Sequence, residues 1–128
     1  PEFALTFLPI PIAASSVTAS TFAGTTAQTG LLEWRSRNPE VLLDLPERVR
    51  DSVWISRRSL VFALRRGVVE LSRSSRLTPR SEALEHKPKE PTNLEIGRRP
   101  FAVAKRLGRW CGRMGSAVAI YTCLGMQP

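Results

Sequence analysis

The chain has 128 residues, ten of them proline, with 42% hydrophobic content, a net charge of +8 and a pI near 11, so it holds one domain or a small domain with tails. Sixteen arginines stand against three lysines. Two cysteines and one histidine cannot assemble a zinc knuckle or a disulfide framework, and no Walker loop, dinucleotide fingerprint or Ser/His/Asp set is present, so the sequence offers no catalytic residue, metal site, cofactor or small-molecule substrate.

Charge divides the chain. Residues 1–33 carry a net of −2, residues 34–80 a net of +6, residues 81–95 a net of −2 and residues 96–128 a net of +6. The first block, 1–33, is an uncharged stretch from Ala4 to Leu32. Glu2-Phe3 is also what a cloning site encodes, so the first three residues are either a vector scar or part of the natural chain. Ser, Thr, Gln and Gly dilute the apolar run, and Pro9 and Pro11 interrupt it, which argues against a membrane helix. Glu2 stands where a signal peptide would be basic. The expectation is an extended, weakly structured arm that orders against a partner.

The second block, 34–73, is a basic amphipathic segment. Asp44 before Leu45-Pro46-Glu47 has the pattern of a helix start. Beyond it Val53, Leu60, Leu64 and Leu71 fall on one face of a helix, widened by Val61 and Val68. A second set, Ile55, Phe62 and Val69, repeats every seven residues on nearly the opposite side, flanked by Arg57, Arg58, Arg65, Arg66 and Arg73. One side suits the core and the other a partner. A hairpin at 60–71 around Arg65-Arg66-Gly67 is the alternative.

Residues 74–100 read as a Pro/Ser/charged linker containing Arg76, Arg98 and Arg99, with His86 a solvated residue. The last block, 101–128, is a basic helix followed by an apolar tail. Lys105, Arg109 and Arg113 recur at i, i+4 and i+8, with Arg106 beside them. Trp110 inside that ridge is either a stacking platform for a base or ordinary core.

The fold expected is mainly α with extended or irregular arms, small, and with autonomous folding left open; α+β with the 60–71 hairpin is the alternative. Arginine grips phosphate bidentately and stacks on bases, whereas a codon bias would give the same composition with no chemistry behind it. In composition alone the chain resembles arginine-rich subunits of organellar ribosomes and accessory proteins read from overlapping viral frames. The first functional reading is therefore a structural RNA-associated protein of a ribonucleoprotein, touching phosphate through the twelve basic residues named above, Arg57 to Arg113, without sequence readout. It expects RNA and other protein subunits as partners. The second is an accessory or adaptor protein that binds a protein groove or an anionic membrane surface through residues 53–71. Two plain thiols fit an intracellular, reducing compartment, the mitochondrial matrix among them.

Overall fold

A computed structural model describes residues 1–80 and 95–127, the side chains of 95–98 excepted. The described residues are mainly α. A 3-10 helix, Phe3–Phe7, leads into α1 (Pro9–Ala13), α2 (Ser16–Ser20) and α3 (Leu31–Arg37). A second 3-10 helix, Pro39–Leu42, precedes the long α4 (Leu45–Arg65). An antiparallel pair follows, β1 (Val69–Leu71) and β2 (Leu77–Pro79), then α5 (Glu95–Met114) and α6 (Ala117–Cys123).

The uncharged amino-terminal stretch is wound into short helices where an extended arm was expected. Pro9 starts α1, where its missing N–H costs nothing. Ser15 caps α2 by accepting from the Thr18 amide. Because the stretch is uncharged, it can be enclosed. α1 lies between α4 and α5, and Leu8, Ile12, Ala19, Phe22 and Leu31 enter one core with Trp34, Leu45, Leu107, Trp110 and Ile120.

At the centre Phe22 stacks on Trp110 (centroids 5.1 Å, planes 12° apart), and Trp34 leans on both. The indole nitrogens are satisfied. Trp34 Nε1 donates to Thr21 Oγ1 at 2.9 Å and Trp110 Nε1 to the Thr26 carbonyl at 3.1 Å.

α4 starts where the sequence placed it, although the Asp44 side chain makes no capping bond. Its core face is rotated from the Val53/Leu60/Leu64 stripe toward Leu45, Ser52 and Ser56, the three buried positions. Small serines let the helix approach its neighbours closely. Arg48, also on this side, donates to the Pro11 carbonyl, Thr18 Oγ1 and the Val41 carbonyl, tying α1, α2 and the second 3-10 helix to α4.

Gly67, at φ +66, ends the helix, with the Val68 amide reaching back to the Ala63 carbonyl at 2.9 Å. A hairpin exists, but not at 60–71: the register pairs Val69 with Pro79 and Leu71 with Leu77. Ser72, Arg73 and Arg76, expected in the tail of one segment and in the linker, build its turn. The Ser72 amide donates to the Arg76 carbonyl at 2.8 Å. Residues 1–3 lie alongside, through an antiparallel backbone β-bridge between Glu2 and Arg76 and a Phe3 amide bond to the Ser75 carbonyl at 2.8 Å. The linker expected at 74–100 is further shortened by the start of α5 at Glu95; its middle, with His86, lies outside the described residues.

Two stability outcomes follow from this core. Trp110→Ala removes the stacked ring and the Thr26 bond and should cost about 3–5 kcal/mol in urea unfolding. Ser56 Oγ is buried with no protein partner. Ser56→Ala should therefore leave stability unchanged or raise it by up to about 1 kcal/mol, since it removes an uncompensated polar atom.

Candidate protein-interaction surface

Arginine placement separates structural residues from available ones. Arg57, Arg58, Arg65 and Arg66 are exposed on α4, Arg73 and Arg76 on the hairpin turn, and Arg99, Lys105, Arg109 and Arg113 on α5. The Arg98 side chain lies outside the described residues. Arg106 does not belong with the exposed set. It is half-buried and donates to the Phe22 carbonyl at 3.3 Å and to Thr25 Oγ1 at 3.1 Å, closing the loop after α2 against α5. Trp110 is 1% exposed, so of its two alternatives the core one holds and the stacking role does not: its ring face is already occupied by Phe22.

The three apolar partner-binding residues separate too. Ile55 and Phe62 share one side of α4, at 37% and 62% exposure. Val69 is not with them, because the helix has ended and Val69 sits half-buried in β1 opposite Pro79. The sevenfold repeat holds for two members, and the left-handed Gly67 removes the third. Arg66 lies 5.4 Å above the Phe62 ring in a cation–π contact.

Sequence reasoning passed over Trp54 (59% exposed) and counted Val61 (48%) with the core stripe. Its signal was available: both lie seven residues apart, opposite Leu45 and Ser52 on a 100° wheel. The exposed side of α4 therefore carries four large apolar side chains among arginines. Arg57, Arg58 and Arg65 make no ion pair among the described residues, where the pairs are Glu33–Arg37 and Glu70–Arg80.

A groove of about 540 Å³ opens between the amino-terminal turns and α5, lined by Leu5, Leu8, Leu107, Gly108, Cys111 and Gly112 among others. Its chemistry is apolar. Glu2, at its rim, is engaged by the Ala117 amide at 2.9 Å. Burial and the neighbouring Cys123 push the Cys111 thiol up to about 11, so it is a neutral thiol at pH 7, not a nucleophilic thiolate. Burial also raises Tyr121, whose hydroxyl donates to the Ala4 carbonyl at 2.7 Å. Among the described residues no group of three or more His, Cys, Asp or Glu is placed to hold a metal, and no helix is long and apolar enough to cross a membrane.

What this fold presents is a small helical body with one apolar, arginine-studded helix face turned to solvent. A family model, ABC-three component (ABC-3C) system Middle Component 3, matches residues 1–128. The chain belongs to that family. Comparison with curated proteins and with solved structures gives no match.

Membership corrects the placement among ribosomal and ribonucleoprotein components, since the family is defined by a three-component system. It supports other protein components as partners, and supports neither RNA nor a membrane in that role. The arginine bias misled for a physical reason. Arginine and aromatic residues are enriched, and lysine depleted, at protein interfaces as well as on phosphate.

The thiol gives a pH test. Above pH 9 the unfolded chain releases the Cys111 proton while the folded chain keeps it up to about pH 11. Stability should fall as pH rises through that window, by about 2–3 kcal/mol at its upper end. Cys111→Ala should flatten the slope of urea-derived stability against pH over the same range.

Proposed function

We propose that this chain is a protein-binding component that joins other proteins of its three-component system, and that it does so by contact and not by catalysis. The observation that carries this reading is the Ile55–Phe62 strip of α4, which is apolar, exposed and rimmed by Arg58 and Arg66. Aromatic and arginine side chains held rigidly at the centre of a patch are the usual anchors of protein interfaces. The Arg66 contact on the Phe62 ring favours one placement of that ring, which lowers the side-chain freedom lost when a partner covers it. The family description is that of one component of a three-component system, which fits a chain with other proteins as partners. The occupant of the strip is an apolar groove on another component with carboxylates at its edge, complementary to the arginines.

Phe62→Ala removes an exposed side chain and should change stability by no more than about 0.5 kcal/mol, and Ile55→Ala, at 37% exposure, by about 1 kcal/mol. Binding to the co-expressed components of the same system, followed by co-purification and calorimetry, should weaken by about tenfold or more. Unchanged binding by both variants would overturn the reading.

A further inference from the structure

The solvent face of α4 has a second regularity, beside the Ile55–Phe62 strip and sharing Arg58 with it. Glu47, Asp51, Trp54, Arg58, Val61 and Arg65 follow at intervals of four, three, four, three and four, and all six are exposed. Alternating steps of three and four keep all six on one face of the helix, a seam with two apolar members (Trp54 and Val61) and four charged ones, so what it offers a second helix is chiefly its order of charges. The seam lies opposite Leu45, Ser52 and Ser56, which face the core.

Its sequence is self-complementary when reversed. In an antiparallel pair of α4 helices centred on Ser56, Glu47 meets Arg65 of a second copy, Trp54 meets Arg58, and Asp51 meets Val61. Each pair occurs twice by the two-fold symmetry, as an isologous interface requires. Two carboxylate–guanidinium pairs close the ends, and two guanidinium–indole stacks fill the middle. A parallel pair would set Glu47 on Glu47, Asp51 on Asp51, Arg58 on Arg58 and Arg65 on Arg65, four like-charge layers. None of the seam's charged residues is engaged in an ion pair within the chain among the described residues.

We infer that a second copy of this chain docks on the seam, forming an antiparallel α4–α4 dimer that leaves the Ile55–Phe62 strip at its flank for another component. The charge order makes the test specific. Glu47→Arg alone and Arg65→Glu alone each create two like-charge pairs and should weaken self-association of the full chain by about tenfold or more, read by sedimentation equilibrium. An equimolar mixture of the two variants restores both pairs, so it should form a dimer at wild-type concentrations, containing one copy of each.

Far-UV circular dichroism of the exposed variants reports whether α4 is intact, and the double variant Glu47→Arg/Arg65→Glu, self-complementary again, should dimerise if it is. A wild-type chain that stays monomeric at every concentration overturns the inference, as does a dimer indifferent to both reversals or a mixture that fails to associate. The Phe62→Ala measurement with the other components is unaffected by any of these results, so failure of the dimer and failure of the proposed function are read separately.

Discussion

The stacked rings of Phe22 and Trp110, with Trp34 leaning on both, hold the rest of the molecule together. They join the uncharged amino-terminal third to a helix near the carboxyl end, across a separation in sequence that no local interaction bridges. Each indole nitrogen is satisfied by the loop or helix end that it touches, so the aromatic cluster fixes where that loop runs as well as what it buries. Once α5 is fixed against residues 18–34, α1 has only one place to lie, in the cleft between α5 and α4.

Around this centre the arginines do two different kinds of work. Arg48 and Arg106 extend into the body and donate to backbone carbonyls and threonine hydroxyls of the short helices. Those short helices leave carbonyls at their ends that only a long, multi-donor side chain can reach. The other arginines of α4 and those of the hairpin turn project outward instead. A single charge count cannot separate the two groups, because both carry the same charge on the same side chain.

α4 shows how one helix serves both purposes. Ser52 and Ser56 are small enough to let its backbone sit close to the core, and the larger apolar residues that would fill a looser interface are turned sideways or outward. Trp54, Val61 and Phe62 are left in water by the monomer, an arrangement expected of a surface that is covered in the assembled system.

The amino-acid sequence alone determined the helix from Asp44 through the arginine pairs, because proline, acid and spacing there agree with one another. It also determined the outward ridge of Lys105, Arg109 and Arg113, a matter of period alone, and the presence of an apolar strip at Ile55 and Phe62. It did not determine the amino-terminal turns, whose prolines and hydroxyl residues have weak intrinsic preference and become helical only when packed. Nor did it determine the hairpin at 69–79, which forms because Gly67 turns the chain back and residues 1–3 lie beside β2. Arg106 read as a surface group from its basic neighbours and Trp110 read either way, as surface or core; the tertiary structure took both inside. Burial is decided by what the far end of the chain brings to the same place, and no local pattern carries that information.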